Sequence, residues 1–234
     1  MKLSIIIPAY NEEKRIISSL NKIYNYLNKK QIDYEVVIVN DGSRDNTVDV
    51  IKKIKNNKTI IIDNKINKGK GHAVKTGMLN AKGDLLLFTD SDLSTPIEEL
   101  GKLMKYIDNY DIVIGSRSLQ ASDVKKKQAF YKVWLGRLGN KAIQLLAVPG
   151  IKDTQCGFKL YKRKCLNIFK KQTINRWGFD FEILFLARKL GYKIKEVPVV
   201  WINAEGSKVK ALDYPKTFLE LLKIRWNDLC GKYK

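Results

Sequence analysis

Residues 84–92 read Asp84-Leu85-Leu86-Leu87-Phe88-Thr89-Asp90-Ser91-Asp92. A short, unbroken apolar run bounded by acids predicts a strand covered on both faces, with chemistry at its carboxyl end. Four comparable runs occur at Leu3–Ile7, Tyr34–Val39, Thr59–Ile62 and Asp111–Gly115. Between them, apolar residues recur at spacings of three and four: Ile16, Ile17, Leu20, Ile23, Tyr24 and Leu27; Val48, Ile51 and Ile54; Ile97, Leu100, Leu103, Met104 and Ile107. Pro96 suits a helical first turn. Strands alternating with helices imply right-handed β-α-β units and a mostly parallel sheet of the α/β class. Further on, Ala129–Val148, closed by Pro149-Gly150, and Phe179–Leu190, closed by Gly191, predict helices. Tyr192–Trp201 reads as a strand in which Pro198 marks an edge or bulge, and Pro215–Leu229 as a final helix. Without a repeat, a biased segment or a linker, residues 1–234 read as one domain, regular over 1–117 and less so over 118–234.

Composition narrows the class. The chain has 234 residues, 44% apolar, with 44 Lys and Arg against 24 Asp and Glu, a formal net charge of +20. No run approaches the ~18 apolar residues of a membrane span, and the apolar start Met1–Pro8 is too short for a signal peptide. Cys156, Cys165 and Cys230 are odd in number and contain no C-x-x-C. A disulfide framework or zinc site is not expected, and a reducing cytoplasm is. The charge is concentrated: residues 123–173 hold 13 basic and two acidic residues, net +11. That stretch should face a nucleic acid, a membrane surface or a phosphorylated ligand.

In open α/β sheets, ligands bind beyond the carboxyl ends of the strands. Polar clusters follow each run: Pro8-Ala9-Tyr10-Asn11-Glu12-Glu13, Asn40-Asp41-Gly42-Ser43, Asn67-Lys68-Gly69-Lys70-Gly71, Asp90-Ser91-Asp92 and Ser116-Arg117. Any one could be an ordinary turn; together they should converge on one crevice. If Asp90 and Asp92 lie in an extended segment, their carboxylates face one point. Mg²⁺ is held by one or two carboxylates plus substrate phosphates, so this pair is the candidate metal site for Mg²⁺ or Mn²⁺. A capped turn, with Ser94 or Thr95 as the cap, is the competing explanation. Lys68-Gly69-Lys70-Gly71 could cradle phosphate at a helix N-terminus, although Walker spacing is absent. His72 is the one histidine, and nothing beside it resembles a nucleophile site.

Ile6-Ile7-Pro8-Ala9-Tyr10-Asn11-Glu12, Asn40-Asp41-Gly42-Ser43-Arg44-Asp45 and Asp90-Ser91-Asp92 resemble the nucleotide-sugar half of inverting family 2 glycosyltransferases, which have the GT-A fold. Asp153-Thr154-Gln155-Cys156-Gly157-Phe158-Lys159-Leu160, Arg176-Trp177-Gly178-Phe179-Asp180-Phe181-Glu182 and Glu205-Gly206-Ser207-Lys208 are similar to dolichyl-phosphate β-glucosyltransferases. The likeness runs from about residue 3 to residue 226. It implies that residues 1–117 bind nucleotide sugar and 118–234 face acceptor and membrane. Pro8, Tyr10 and Glu12 would line the base and ribose pocket, with Asp41 on the uracil. Lys70 would belong to the same nucleotide-sugar site. Asp90 would approach the ribose and diphosphate, and Asp92 would bind the metal. Arg117 and Asp153 would stand at the reaction centre, and Arg176 and Lys208 would meet the acceptor. Asn40 stands where the family often has a second Asp.

The implied activity is transfer of a hexose, above all glucose from UDP-glucose, to a dolichyl or undecaprenyl phosphate. A phosphate monoester has a second pKa of ~6, so it is already nucleophilic at neutral pH and needs no strong base. A glycan or protein hydroxyl would need a carboxylate, with Asp153, Asp180 and Glu182 as candidates. Another sugar, such as mannose from GDP-mannose, uses the same scaffold. A nucleic-acid-binding protein would leave Asp90-x-Asp92 unexplained and shows no RRM, KH or helix-turn-helix pattern. The basic stretch Lys125-Lys126-Lys127, Lys132 and Arg137, with Phe130, Tyr131 and Trp134, suits an anionic bilayer surface. The final helix does too, mixing Phe218, Leu222, Trp226 and Leu229 with Lys216, Lys223 and Arg225. The expected location is peripheral, at the cytoplasmic face of a membrane, alone or with a membrane partner subunit.

Overall fold

The computed structural model describes residues 1–54, 56–125, 139–202 and 213–234. The five strands expected from the apolar runs are present: β1 (Leu3–Ala9), β2 (Tyr34–Asp41), β3 (Thr59–Asn64), β4 (Leu85–Thr89) and β5 (Ile112–Ser116). Helices α1 (Ile16–Lys29), α2 (Thr47–Lys52), α3 (Lys70–Asn80) and α4 (Leu100–Met104) connect them, α4 preceded by a 3₁₀ turn at Ile97–Glu99. β1 alternates its side chains between two cores. Ile5 and Ile7 pack with Ile16, Leu20, Ile23 and Leu27 of α1, whereas Ile6 packs with Val37, Val39, Met78 and Phe88. Each such aliphatic side chain, fully buried, stabilises the fold by roughly 1.5–3 kcal/mol.

The second half departs from the expectation at a decisive point. After short strand β6 (Asp123–Lys125) and a helical segment at 139–146, here α5, the chain forms β7 (Phe158–Lys162). The seven-stranded sheet has the order β3-β2-β1-β4-β7-β5-β8. β7 is antiparallel to both neighbours, with Leu160 opposite Leu87 of β4 and Val113 of β5. The other six strands run in one direction. The reversal delivers the segment preceding β7, residues 153–157, to the edge where β1, β2, β4 and β5 end. Residues 166–171 form α6 (Leu166–Lys171) and 179–189 form α7 (Phe179–Lys189).

The single strand expected over Tyr192–Trp201 is two strands in two sheets. β8 (Ile194–Pro198) pairs with β5, and β9 (Val200–Ile202) pairs with β6. The break falls just after Pro198, whose missing N–H ends ladder formation. Helix α8 (Asp213–Leu229) follows. The helix expected from Ala129 is described only over 139–146. No described helix is long and apolar enough to cross a membrane.

Candidate active site

The carboxyl edge of the sheet gathers four cations and their carboxylates. β4 ends at Thr89, and the chain then turns rather than continuing extended: Leu93 N–H donates to the Asp90 carbonyl at 3.2 Å, and Leu93 adopts φ 48°. The expectation of an extended Asp90–Asp92 segment is therefore corrected to a turn, although both carboxylates still act on Lys70 and on Arg15. Within the turn each has its own nearest partner. Asp90 receives the Lys70 ammonium at 2.7 Å, whereas Asp92 accepts Ser94 N–H at 2.9 Å and lies 4.0 Å from the Arg15 guanidinium. This turn is also where Gly157 is required. A Cβ there would stand 2.1 Å from an Asp90 oxygen, and the glycine lets its carbonyl accept Asp90 N–H at 3.2 Å.

The Lys68-Gly69-Lys70-Gly71 loop leads into α3, as its glycines suggest, but its amides already hold an anion belonging to the chain. Lys68 N–H and Gly69 N–H donate to the two oxygens of Asp41 at 2.9 and 2.8 Å. His72 N–H donates to the Asn175 carbonyl at 3.0 Å. Two amides of the expected phosphate cradle are thus occupied by a carboxylate, and Asp41, buried, shapes this loop. What the loop offers outward is the side chain of Lys70. Its ammonium also lies 5.4 Å from the Phe88 ring and 5.7 Å from the Trp177 ring. Burial alone would lower the Lys70 pKa, but Asp90, with help from Asp180 and Asp92, raises it. Gly69, at φ 108°, lets Asn175 and Arg176 lie on the loop, because a Cβ there would meet the Asn175 carbonyl at 2.4 Å.

Near the end of β1, Pro8 is held in the sheet opposite Val39 and Tyr10 is half-buried. Glu12 is buried and receives Arg15 through two guanidinium nitrogens, one at 2.9 Å. Asn40 is structural: its amide donates to Asp63 at 2.7 Å, and its oxygen accepts Ser43 N–H at 3.2 Å.

Arg117, just past β5, and Asp153, just ahead of β7, meet as the antiparallel strand dictates. Asp153 accepts the Arg117 backbone N–H at 2.8 Å and the guanidinium through Nε at 2.7 Å and Nη2 at 2.8 Å. Burial would push the Asp153 carboxyl up, but the adjacent guanidinium holds it below the usual carboxylate range. Arg117 also stacks 5.5 Å from the Trp201 ring. Glu196 of β8 accepts the N–H groups of Lys152 and Asp153 at 2.8 and 2.9 Å, fixing that loop. Burial pushes the Cys156 thiol up to about 11, with Asp153 adding to the effect, so the sulfur stays protonated at neutral pH.

Two acids considered as bases have structural partners. Asp180 pairs with Lys159, whose ammonium also donates to the Cys156 carbonyl at 2.7 Å. Glu182 accepts Thr173 N–H at 2.9 Å, Thr173 hydroxyl at 2.6 Å, Ile174 N–H at 2.8 Å and Tyr233 hydroxyl at 2.6 Å. It latches the α6–α7 connection to the C-terminal segment. Arg176 and Trp177 line a cleft of about 340 Å³ with Lys216, Thr217 and Glu220 of α8. Lys208, its Glu205-Gly206-Ser207 neighbours and the stretch 126–138 lie outside the described residues, as does the side chain of Lys125.

Arg15, Lys159, Trp177 and Trp201 escaped selection from sequence. A lysine inside an apolar strand was the available signal for Lys159. As for a cation, the described residues hold no group of three or more His, Cys, Asp and Glu able to bind one unaided. Asp90 and Asp92, partly exposed at 31% and 24%, fit an ion that completes its shell with substrate phosphate and water.

The comparisons with known proteins agree with this geometry. The sequence model described as glycosyl transferase family 2 matches residues 4–169. Dolichyl-phosphate beta-glucosyltransferase ALG5A of Trichomonas vaginalis is 40% identical, over 99% of this chain and 75% of its own length. The Homo sapiens dolichyl-phosphate beta-glucosyltransferase is 32% identical, over 100% and 78%. A solved mannosyltransferase from Pyrobaculum calidifontis, in complex with GDP-Man and Mn²⁺, superposes with a TM-score of 0.61 at 25% identity, covering 88% of this chain and 57% of that one. A parallel sheet interrupted by one reversed strand, with cations gathered at its carboxyl edge, is here the frame of a GT-A glycosyltransferase, and the chain belongs to glycosyl transferase family 2.

Proposed function

We propose that this enzyme transfers glucose from UDP-glucose to the phosphate of a dolichyl or other polyprenyl phosphate, with inversion at the anomeric carbon. The observation that carries the acceptor class is the engagement of every carboxylate considered as a base. Asp153 is bidentate to Arg117, Asp180 pairs with a buried lysine, and Glu182 accepts four hydrogen bonds. A hydroxyl nucleophile would need one of them; a phosphate dianion brings its own charge. The relatives named dolichyl-phosphate beta-glucosyltransferase support both the sugar and the acceptor.

In this reading the acceptor phosphate oxygen forms a bond to the sugar C1 as the C1–O bond to the nucleoside diphosphate breaks. Both charges sit near cations of the chain. Lys70 and Arg15 face the departing diphosphate, while Arg117, oriented by Asp153, faces the acceptor phosphate. Such preorganised cations stabilise charge gathered in the transition state. Asp92, with Asp90, would hold Mg²⁺ or Mn²⁺, which supplies further neutralisation of the diphosphate when bound. The P. calidifontis mannosyltransferase, solved in complex with GDP-Man and Mn²⁺, supports the use of a divalent cation. A lipid acceptor would hold the enzyme at a membrane surface, and the side we propose is the cytoplasmic face.

The test is a panel of nucleotide sugars with and without a short polyprenyl phosphate. UDP and a glucosyl phospholipid should form together from UDP-glucose alone and disappear with excess chelator. Asp92→Ala should abolish turnover at any Mg²⁺ or Mn²⁺ concentration. Transfer to a glycan hydroxyl at a comparable rate would overturn the acceptor class, and preference for GDP-mannose the donor. Undiminished turnover in chelator would overturn the metal assignment.

A further inference from the structure

Helix α8 carries an exposed apolar stripe. Phe218, Leu219, Leu222, Trp226 and Leu229 are between 45% and 77% exposed. At 100° per residue they fall within an arc of ~100°, on the side away from buried Leu221, Ile224 and Asn227. Five of the larger exposed apolar side chains of the described chain therefore line one side of one helix. The edges of the stripe are basic: Arg225 on one side, Lys216 and Lys223 on the other, all exposed. The acids whose side chains are described turn inward. Glu220 accepts Gly178 N–H at 2.7 Å, and Asp228 pairs with Lys189 at 2.5 Å.

We infer that this face of α8 seats the enzyme on an anionic bilayer, with the stripe in the headgroup–acyl boundary and the three cations at the phosphate level. The arrangement is that of an interfacial helix: an apolar strip containing a tryptophan, bordered by basic residues. A second copy of the chain fits poorly. Among the described side chains, Asp228 lies 4.0 Å from Arg225 but is already paired with Lys189, and face-to-face pairing would set Lys216 and Lys223 of each copy against like charges. Position adds a second argument. The stripe begins at Phe218, immediately after Lys216 and Thr217, which line the cleft shared with Arg176 and Trp177, and the Trp177 ring lies 5.7 Å from the Lys70 ammonium. A bilayer against α8 therefore opens onto the cleft beside the proposed transfer site. The use of this face rests on the lipid-phosphate reading; its affinity for a bilayer does not.

The experiment is co-sedimentation with vesicles of phosphatidylcholine, pure or with about a third phosphatidylglycerol, at low and high salt. Exposed charges are screened over ~8 Å at physiological ionic strength, so binding should favour the anionic vesicles and weaken steeply with salt. The double variant L222Q/W226Q removes surface groups and should fold as the parent does by circular dichroism. It should sediment at least about tenfold less. It should keep full activity on a short, soluble polyprenyl phosphate while losing activity on a long one embedded in vesicles. A parent that stays in the supernatant, or a variant that binds as well as the parent, would overturn the inference. So would a parent dimer in sedimentation equilibrium that the variant dissociates, since the stripe would then belong to a second copy. Vesicle binding lost in the variant, with no transfer to any polyprenyl phosphate, would uphold the docking face and defeat the acceptor reading.

Discussion

Lys70 and Lys159 place their ammonium groups 5.4 and 5.6 Å from the centroid of the same Phe88 ring, and each pairs with an aspartate. Their surroundings differ. Lys159 and Asp180 are 0% and 5% exposed, whereas Lys70 and Asp90 are 21% and 31% exposed. In a low-dielectric interior, removing one partner strands the other, so the buried pair has no alternative state. At the mouth, water or an arriving phosphate can replace either partner at little cost. Two similar ion pairs on one ring thus serve different ends: one fixes β7 against α7, and the other is available to a ligand.

Breaking the buried pair should have the largest effect. Lys159→Ala leaves the Asp180 carboxyl in a site where burial already raises its pKa, and should destabilise the fold by about 3–5 kcal/mol in urea unfolding. K159M/D180L should recover most of that loss. An unchanged midpoint for Lys159→Ala would erase the distinction between the pairs.

The exposed pair should show the reverse pattern. Lys70→Ala should cost less than about 1 kcal/mol of stability but lower kcat by roughly 10²–10³-fold, the effect of losing one preorganised charge stabiliser. A large stability loss with intact kcat would make Lys70 a second structural lysine.

The Arg117–Asp153 pair sharpens the comparison, being buried on the acid side and partly open on the cation side. Because the Asp153 pKa is depressed in the fold, its contribution is fully present above the unfolded carboxylate pKa and is lost as pH falls through the lower folded value. Asp153→Asn should therefore flatten the fall of Tm below about pH 4. It should also cost about 1–3 kcal/mol at neutral pH, with kcat falling more than KM rises. A parallel Tm profile for the two proteins would remove Asp153 from that pH dependence.

His72→Asn should have the smallest effect. Burial, then Lys68, lowers the His72 pKa against a weaker pull from Asp41, so the ring is neutral at pH 7. Turnover should change less than about threefold, in keeping with an acceptor that needs no base. Loss of turnover with intact nucleotide binding would return a protonating or deprotonating role to this residue.

The legibility of the site follows the same division. Asp153 was legible only through the family resemblance, whereas Asp90, Asp92, Asp41 and Arg117 could be read from sequence, because polar residues after an apolar strand lie at the ligand edge of a parallel sheet. Their partners could not. Asp41 stands 27 residues from the Lys68 amide it holds, and Arg117 stands 36 from Asp153. The phosphate-cradle reading of residues 68–71 missed the partner of the Lys68 and Gly69 amides for that reason, since local composition cannot reveal a carboxylate supplied by another strand. The extended reading of Asp90-Ser91-Asp92 failed because Gly157, far along the chain, makes room for a turn.

By itself the sequence determined the α/β alternation, the first five strands to within two residues at either end, the glycosyltransferase resemblance and the basic, aromatic character of the last helix. Each is written in periodicity, in turn chemistry or in contiguous motifs. Tertiary structure alone decided that residues 158–162 are a strand. Lys159 and Lys162 break its apolar run, and Lys159 becomes tolerable inside the sheet only when α7 brings Asp180 to it. That reversed strand carries Asp153 to Arg117 and Gly157 to Asp90. It also decided which side of α8 is buried, because Leu221 and Ile224 are no more apolar than Leu222 and Trp226, and only packing separates them.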